Sequence, residues 1–495
     1  MAKKTYLEAA CELPIYDECD VLVVGGGAAG HSAAIAAARA GCEKVILMER
    51  FGYFGGDVTG GYVLMIPALS WHSFNCVRGL QEEWFSRLDK NAPDSYISPE
   101  REEVGEKDPF KLERWGLIHG CVSPEKDNHY LVRAPYYEPT QLKLEMDAMV
   151  EEEPNIKVMI HCWGTKPIMD GNTVRGVIFE SKEGRQAVLA KVVIDATGDG
   201  DIYTKSGAPF FHGANETDVY RSGEDRSGAT ALVWRMGGVD FEAFARWGAA
   251  NPEARTAFFA NLNKIAGYRT SFFPAGANDV VWWNNWLINR DCSNLDDIRY
   301  TEFKVRDSIR PLVEFCRKNM PYGRNAFVYD IAPQLGSRCS YRLNGEHVYR
   351  RLDIATGAKF DDVIAWQSVV GMVNGGAPIE LPYGAILPQK VENLLCPGRH
   401  FSVDAETVSG VTLIPQCIGL GQGAGVAAAV CVKDGTTTHN VDIRKVQKIL
   451  CTEQDVPLPR QENTDPALVR ELEEYRYGTY TDAAKKCREA AGLDW

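Results

Sequence analysis

The clearest pattern at the start of the chain is a short apolar run at residues 21–24 that leads directly into a glycine-rich turn. An uninterrupted apolar run of this length is typical of a strand that is buried on both faces of a parallel sheet. An alanine-rich stretch over residues 28–40 then predicts a helix that Gly41 ends, and a second apolar run at 45–48 predicts the next strand. The first 50 residues therefore predict a strand–helix–strand unit of an α/β protein.

The glycines between the first strand and the helix have the spacing G-x-G-x-x-G, at Gly25, Gly27 and Gly30. Gly25 permits the tight turn, Gly27 lets a pyrophosphate approach the backbone, and Gly30 with the alanines of the helix lets the helix lie close to the sheet. Ala29, within the same turn, is a further candidate contact of the cofactor. The N-terminus of that helix offers unpaired N–H groups to phosphates. Glu49 ends the second strand, where a carboxylate accepts hydrogen bonds from ribose hydroxyls. Together these residues predict a dinucleotide site.

A second glycine-rich segment at residues 55–61 indicates which dinucleotide binds. A nicotinamide dehydrogenase has no need for such a loop here, whereas FAD is held extended and passes further backbone with its diphosphate and ribityl arm. The segment therefore favours FAD. The candidate contacts that it adds, with the residue after Glu49, are Arg50, Gly55, Gly56, Asp57 and Thr59.

With these motifs the sequence resembles the superfamily of FAD-dependent oxidoreductases that includes glutathione reductase-like, fumarate reductase-like and amine oxidase-like proteins. The order of segments across about 20–440 is similar to one bacterial family within it. Residues 192–201 resemble the second FAD-contact motif, and residues 393–400 and 419–429 resemble the closing motif, in which a helix N-terminus points at the flavin N1 and C2 carbonyl. The cofactor contacts that this resemblance implies are Ala196, Thr197, Gly198, Asp199, Gly398, Arg399, Gly421, Gln422 and Gly423.

The motifs are split along the chain, so we expect an α/β fold with a Rossmann-like FAD-binding lobe assembled from residues 16–90, 140–210 and 385–440. Residues 91–139 are too long for an inert loop and are interpreted as an insertion or lid. Residues 211–384, where tryptophans concentrate and 295–317 has helical periodicity, are predicted to form an α+β cap lobe over the substrate. The polar tail, 441–495, is expected to be helical and to pack on the surface or between copies of the chain.

Four residues are candidates for catalysis. Arg338 and Arg342 lie before the closing motif, where a guanidinium suits clamping a substrate carboxylate or carbonyl, or delivering a proton; ordinary ion pairs are the alternative. His400 follows Gly398 and Arg399 and suits acid–base work because its pKa lies near neutrality, although it could equally hold the loop. His72 follows the second glycine-rich segment and could contact the flavin or the substrate.

The predicted function is an FAD-dependent oxidoreductase that transfers a hydride between flavin N5 and a small organic substrate. The substrate is either oxidised at a C–H bond next to oxygen or nitrogen, or reduced at an activated double bond. The sequence has no second strand–GxGxxG–helix unit, so electrons are expected to enter from the substrate, from a free reduced cofactor that passes through the same cleft, or from a separate donor protein. The alternatives are a flavin-dependent monooxygenase that activates oxygen, and an FAD-binding electron-transfer subunit.

Composition narrows the partners of the protein. The 495 residues have a formal net charge of -13, which disfavours nucleic acid and anionic membrane surfaces as partners. No stretch reaches the roughly 18–20 apolar residues of a spanning helix, and the N-terminus has no apolar core of signal-peptide length. The 14 cysteines are scattered without a C-x-x-C pair, which argues against a metal site. These features predict a cytoplasmic enzyme, and the family resemblance implies a bacterial one.

Overall fold

The structure is a computed structural model. It describes residues 4–66, 78–90, 135–213, 229–277, 279–368, 377–405, 407–462 and 464–474, together with short strands at 70–71, 74–75, 96–97, 103–104, 122–125 and 128–131. Most of the predicted insertion, 91–139, and the end of the tail lie outside these residues, as does His72.

Helices account for eleven of the described elements. In chain order they are α1 (Ala28–Arg39), α2 (Leu80–Lys90), α3 (Pro139–Glu151), α4 (Phe241–Ala250), α5 (Pro252–Ala266), α6 (Leu295–Asn319), α7 (Arg351–Thr356), α8 (Val408–Val411), α9 (Ile414–Asp434), α10 (Ile443–Thr452) and α11 (Pro466–Glu474).

The described strands are numbered in the same way. They are β1 (Ile15–Val24), β2 (Val45–Met48), β3 (Ser70–Trp71), β4 (Phe74–Asn75), β5 (Tyr96–Ile97), β6 (Glu103–Val104), β7 (Val122–Glu125), β8 (Asn128–Leu131), β9 (Pro135–Tyr136), β10 (Ile156–Met159), β11 (Trp163–Asp170), β12 (Thr173–Ser181), β13 (Gly184–Asp195), β14 (Phe210–His212), β15 (Thr230–Ala231), β16 (Trp234–Gly237), β17 (Arg269–Pro274), β18 (Val280–Trp286), β19 (Phe327–Ile331), β20 (Gly336–Ser337), β21 (Tyr341–Leu343), β22 (Val363–Gln367), β23 (Ile379–Pro382) and β24 (Leu394–Leu395).

The largest sheet has seven strands in the order β10-β2-β1-β13-β12-β11, with β24 paired to β13. Strands β10, β2, β1, β13 and β24 are mutually parallel, and β11 and β12 form an antiparallel hairpin at one side. The apolar runs at 21–24 and 45–48 are buried throughout, as expected for strands covered on both faces. This mixed sheet with its helices confirms the predicted α/β, Rossmann-like fold, and its strands come from three separate stretches of the chain.

Helices α1 and α9 pack closely against each other beside this sheet because both present glycine and alanine at the contact. A Cβ atom on Gly421 would lie 2.1 Å from the backbone oxygen of Ala29, and one on Gly425 would lie 2.2 Å from that of Ala33. Only glycine permits this separation. Helix α9 is long and apolar enough to span a membrane by length and composition, but 94% of its most apolar window is buried inside the protein, as in a core helix.

A second unit is built on the four-stranded antiparallel sheet β17-β18-β16-β19, which lies within the predicted cap lobe. Trp234 and Trp283 stack at its centre with ring centroids 4.6 Å apart. The periodicity at 295–317 corresponds to α6, whose N-cap Asn294 accepts hydrogen bonds from the first backbone N–H groups of the helix. The domain boundaries themselves stay predictions.

An ion-pair network joins the cap sheet to the FAD-binding lobe. The buried guanidinium of Arg235, on β16, lies 2.5 Å from a Glu138 carboxylate oxygen and 2.6 Å from an Asp330 oxygen. The Tyr62 hydroxyl, which follows the second glycine-rich segment, donates to Asp330. Each charge in this network has an opposite charge beside it, so the junction between the lobes is electrostatically matched.

Candidate active site

A cavity of about 240 Å³, partly open to solvent, lies where the carboxyl ends of the parallel strands face the cap. The ends of parallel strands are the usual ligand site of such sheets. Residues from all three glycine-bearing segments line it, and so do residues of the cap. The predicted site residues that the structure brings together here are Gly25, Gly27, Ala29, Glu49, Arg50, Gly55, Gly56, Asp57, Ala196, Thr197, Gly198, Gly398, Arg399 and Arg338.

The three glycines of the first turn have the different roles that their spacing predicts. Gly25 has a φ of +100°, and a Cβ atom there would lie 2.5 Å from the Ala196 oxygen. A Cβ atom on Gly30 would lie 1.7 Å from the Gly25 oxygen, so Gly30 lets α1 meet the turn. A Cβ atom on Gly27 would have its nearest described neighbour, the Gly56 Cα, 4.0 Å away. The space above Gly27 is thus part of the cavity.

Glu49 lies buried at the end of β2 and lines the cavity. Its carboxylate accepts hydrogen bonds from the backbone N–H groups of Gly26, at 2.6 Å, and Phe51, at 2.8 Å. Burial raises the pKa of Glu49, although these two N–H donors favour the ionised form. Each carboxylate oxygen has a second lone pair, so the group can still accept a hydrogen bond from a ribose hydroxyl.

Arg399 ties the three glycine-bearing segments together. Its guanidinium lies 2.9 Å from an Asp57 oxygen and 3.0 Å from an Asp199 oxygen, and it donates to the Gly198 carbonyl. Burial raises the pKa of Asp57 in spite of the adjacent Arg399. Burial acts in the same direction on Asp199, but Arg399 and a hydrogen bond from Ser340 outweigh it and hold the pKa of Asp199 below its ordinary value. Asp199 itself is absent from the cavity lining, so its prediction as a cofactor contact is corrected: its carboxylate holds Arg399 in place.

The N-terminus of α9 faces the cavity, as the closing motif implied, but it begins earlier than expected. Thr412, Leu413 and Ile414 line the cavity, and their end of the helix carries unpaired N–H groups and a partial positive charge. Pro415 stands in the first turn, where the absence of an N–H is tolerated. The helix N-terminus, and not its later glycines, is therefore the part that can face a flavin ring.

The assignment of Gly421, Gln422 and Gly423 to the cofactor was wrong. All three are buried inside α9 and are absent from the cavity lining. Gly421 makes room for α1, and a Cβ atom on Gly423 would lie 2.8 Å from the Ile364 side chain. The Gln422 amide donates to Gln454. Glycines that pack helices and glycines that contact a ligand cannot be distinguished from the sequence of this segment.

His400 does not reach the cavity, so its prediction as an acid–base residue is corrected. The side chain is fully buried, its Nε2 hydrogen-bonds the Asp195 carbonyl at 3.0 Å, and its ring packs on Tyr203. Burial lowers its pKa, which favours the neutral imidazole. His400 therefore holds the loop that delivers Arg399, the alternative that the sequence left open.

Arg342 is likewise a structural residue and not a catalytic one. Its guanidinium is fully buried and donates to the backbone carbonyls of Val403, at 2.8 Å, and Gly213, at 2.5 Å. It is absent from the cavity lining, which Arg338 does join. The two arginines are four residues apart, but the chain bends between β20 and β21, and these two strands pair with different partners, β15 and β14.

Two further candidate contacts serve packing. Thr59 is fully buried, and its hydroxyl donates to the Phe54 carbonyl, which closes the second glycine-rich loop. Gly30 lies under the first turn, outside the cavity lining. Both residues therefore support the cavity wall by packing behind it, and neither faces the cavity.

The cap supplies lining residues that the motifs did not single out. Trp282, Asn284 and Trp286 lie at alternate positions of β18, and Gln334 precedes β20. Alternate residues of a strand share one face, so the period of two within residues 282–286 was the signal that could have identified this wall. The Arg338 guanidinium lies over the Trp286 ring, 4.5 Å from its centroid.

The described residues fit FAD. We call the part of the cavity wall formed by the glycine-rich segments at 25–30 and 55–61 the cradle. No side chain occupies the cradle above Gly27, and the Glu49 carboxylate can accept a hydrogen bond from a ribose hydroxyl. The N-termini of α1 and α9 both face the cavity. Gln334 adds a specific requirement: its Nε2 donates to Asp57 at 3.3 Å, and its buried Oε1 has no partner among the described residues. An acceptor without a partner at this position can accept a hydrogen bond from a bound group. When bound, FAD supplies the hydride chemistry.

Comparison with known proteins gives partial sequence matches and broad structural ones. A digeranylgeranylglycerophospholipid reductase of Methanopyrus kandleri is 27% identical over 187 residues, 37% of this chain and 40% of that protein. A urocanate reductase of Eggerthella lenta is 26% identical over 208 residues, 37% of this chain and 32% of that protein. The matches thus span less than half the length of these relatives.

Among solved structures, a myxobacterial chondrochloren halogenase aligns with a TM-score of 0.46 and 11% identity, covering 96% of this chain and 97% of that one. A geranylgeranyl bacteriochlorophyll reductase-like protein of Thermoplasma acidophilum aligns with a TM-score of 0.44 and 15% identity, covering 95% and 96%.

The family comparison covers most of the chain, because residues 20–450 match the FAD dependent oxidoreductase family. This range includes all three glycine-bearing segments and the cap. The predicted cofactor and enzyme class are confirmed: the chain belongs to the FAD dependent oxidoreductase family, and it is an oxidoreductase that uses FAD.

Proposed function

We propose that the enzyme transfers a hydride between the flavin of FAD and a small organic substrate bound between the cradle and the cap. One observation carries this proposal. Arg338 and Trp286 of the cap line the same cavity as Gly27 and Asp57 of the cradle. A molecule held by the cap is therefore next to whatever the cradle holds, which is the arrangement that direct transfer requires.

Of the two directions that the sequence left open, we propose reduction of an activated double bond. The two curated relatives are both named as reductases. Reduction adds a hydride from the flavin to one carbon of the double bond and a proton to its neighbour, and we propose that solvent supplies this proton through the open part of the cavity. A guanidinium bound to a carbonyl or carboxylate conjugated with the double bond withdraws electron density from it, which favours hydride addition. Arg338 is the described cap residue that can do this.

The remaining lining residues hold the partners in place and do not react. Asp57 and Arg399 fix the second glycine-rich loop against the closing segment. The N-terminus of α9 favours negative charge at its end of the cavity, which suits a reduced, anionic flavin. The electrons are proposed to come from a separate donor, either a free reduced nicotinamide or a donor protein.

An anaerobic titration tests this proposal. The purified protein, with its flavin reduced by dithionite and excess reductant removed, is mixed with α,β-unsaturated acids while the visible spectrum is recorded. Reoxidation of the flavin with stoichiometric saturated product supports the proposal. If reduced flavin reacts only with oxygen and forms a transient peroxyflavin absorbance, the monooxygenase alternative replaces it. If it reacts only with another protein, the electron-transfer alternative does.

Arg338→Ala is the matched variant. We expect it to keep its bound FAD and to lose about 10²-fold in turnover, since charge stabilisation by one group is of that order. Arg269→Ala, an exposed arginine in the same cap sheet, is the control and should turn over as the unmodified protein does. Full activity of Arg338→Ala would remove Arg338 from the mechanism.

A further inference from the structure

Strand β18 presents two different faces, and one of them forms a wall of the cavity. Trp283 and Asn285 point into the cap core: Trp283 stacks on Trp234, and the Asn285 amide donates to the Leu232 carbonyl at 2.7 Å. Trp282, Asn284 and Trp286 occupy the alternate positions and line the cavity. We call the surface formed by these three residues and Arg338 the cap wall.

Asn284 and Asn285 are neighbours in sequence but differ in their hydrogen bonding. Asn285 is fully buried, and its amide oxygen also accepts a hydrogen bond from Thr270, so it is satisfied within the cap. The Asn284 side chain is partly exposed to the cavity, and no residue in the described part of the chain hydrogen-bonds it. The Asn284 side chain therefore offers a ligand an NH2 donor and a carbonyl acceptor, at a position between the indole rings of Trp282 and Trp286.

Arg338 gives the cap wall its charge. The central carbon of its guanidinium lies over the Trp286 ring, 4.5 Å from the ring centroid, and its backbone N–H donates to the Ala229 carbonyl at 3.0 Å. A guanidinium beside an aromatic ring keeps its charge, and its planar set of N–H donors matches the geometry of a carboxylate. Among the described cap residues that line the cavity, Arg338 is the one that carries a charge, and its charge also acts on the Asp57 carboxylate of the second glycine-rich loop, which lines the same cavity.

From these contacts we propose that the cap wall binds a planar, conjugated or aromatic carboxylate that carries a further hydrogen-bonding group. The indole rings of Trp282 and Trp286 contact the planar part, Arg338 binds the carboxylate, and Asn284 recognises the second polar group. A small, flexible dicarboxylate would leave the indole surfaces without a partner. This inference rests on the proposed function, whose substrate class it specifies.

Calorimetric titration of the FAD-bound protein with defined probes tests it without turnover. The probes are cinnamate, cinnamamide, succinate and the three hydroxycinnamates with the hydroxyl on the ring. We expect cinnamate to bind at least tenfold more tightly than cinnamamide or succinate, and one hydroxycinnamate to bind more tightly still. Cinnamate that binds no better than its amide, or less tightly than succinate, overturns the inference.

Two variants assign the contacts. Arg338→Gln should lower cinnamate affinity to that of cinnamamide and leave cinnamamide unchanged, while the exposed control Arg269→Gln should change neither. Asn284→Leu should abolish the advantage of the preferred hydroxycinnamate over cinnamate and leave cinnamate itself within twofold. Cinnamate binding that Arg338→Gln does not weaken, or a hydroxyl preference that survives Asn284→Leu, overturns the inference.

Failure here differs from failure of the proposed function. A protein that reduces a neutral or non-planar substrate retains the proposed function and loses this substrate class. A protein that binds cinnamate through Arg338 but never transfers a hydride to any acid retains the cap wall and loses the proposed function.

Discussion

The guanidinium of Arg399 lies 2.9 Å from the carboxylate of Asp57, and this ion pair joins residues 342 positions apart in the chain. Its other amino group meets Asp199, so one side chain connects the second glycine-rich loop, the A-T-G-D segment and the closing segment. The shape of the cofactor cradle thus depends on a small buried ion network.

Replacing Arg399 by methionine should lower the free energy of unfolding and abolish FAD binding. The change leaves Asp57 and Asp199 buried without their cation, and losing one partner of a buried pair costs about 3–5 kcal/mol. Urea unfolding and the ratio of visible to protein absorbance measure the two effects. Arg175→Met, which removes an exposed pair with Asp170, is the control and should cost less than about 1 kcal/mol. An Arg399→Met protein that stays yellow would contradict the network's role.

Alanine at two glycines of the first turn should separate cofactor binding from folding. Gly27 has a φ of −66°, which alanine adopts freely, and its Cβ would point into the cavity, so Gly27→Ala should weaken FAD binding at least about tenfold while stability changes by no more than about 1 kcal/mol. Gly30→Ala places its Cβ against the Gly25 oxygen and should destabilise the fold by about 3 kcal/mol. Thermal unfolding of flavin-free protein and fluorimetric FAD titration measure these outcomes. If Gly27→Ala destabilised the fold more than Gly30→Ala did and left FAD affinity unchanged, the cofactor would not bind above Gly27.

Asp201 should make the stability of the flavin-free protein depend on pH. Burial, followed by the nearby Asp195 and Asp199 charges, raises its pKa from 3.8 to about 6, although Arg50 and Lys205 oppose the shift. A raised carboxyl pKa stabilises the folded state below about pH 4, and this contribution is lost as the pH rises through 6. Asp201→Asn should therefore match the unmodified protein at pH 4 and exceed its unfolding free energy by up to about 3 kcal/mol above pH 6.

Urea unfolding across that pH range measures the Asp201 effect. Asp170→Asn, at an exposed position of β11, should change stability by less than about 0.5 kcal/mol at every pH. If the free energies of unfolding of Asp201→Asn and the unmodified protein differed by the same amount at pH 4 and at pH 8, Asp201 would not titrate between these pH values.

His400→Gln should preserve catalysis, because the imidazole lies outside the cavity and hydrogen-bonds the Asp195 carbonyl. Loss of a general base lowers rates about 10²–10⁴-fold, whereas we expect a change below about twofold and an unaltered pH–rate profile. The glutamine should cost about 1 kcal/mol of stability through the altered hydrogen bond. Steady-state kinetics across pH, with Arg338→Ala as the impaired comparison, measures this, and a lost limb of the pH profile would restore His400 to the mechanism.

The first motif could be recognised from the sequence because the backbone geometry behind it involves residues that are close together in the chain. The apolar runs at 21–24 and 45–48, the spacing of Gly25, Gly27 and Gly30, and the acid at 49 are fixed by backbone geometry within one strand–helix–strand unit. The structure places each of them as the spacing predicted. The closing motif was less readable, because a glycine inside a helix such as α9 can serve a neighbouring helix or a ligand with the same sequence.

Side-chain direction at distant positions could not be read from the sequence. The sequence does not distinguish Arg338 from Arg342, but of these two only Arg338 lines the cavity, because the chain bends between β20 and β21 and the two strands pair with different partners. Because His400 directly follows Arg399, the sequence predicted that it lies near the flavin. Its ring is instead buried against Tyr203, a residue that is far away in the sequence. His72, in contrast, lies outside the described residues, and its role stays a prediction, as does the cytoplasmic location.

By itself, then, the sequence determined the α/β fold class, the cofactor and the residues of the first cradle, since these follow from short-range periodicity and glycine geometry. The tertiary structure alone decided which of the later candidates face the cavity, and it revealed the cap wall on β18. Those outcomes depend on contacts between residues far apart in the chain, where burial and packing choose between side chains that the sequence cannot distinguish.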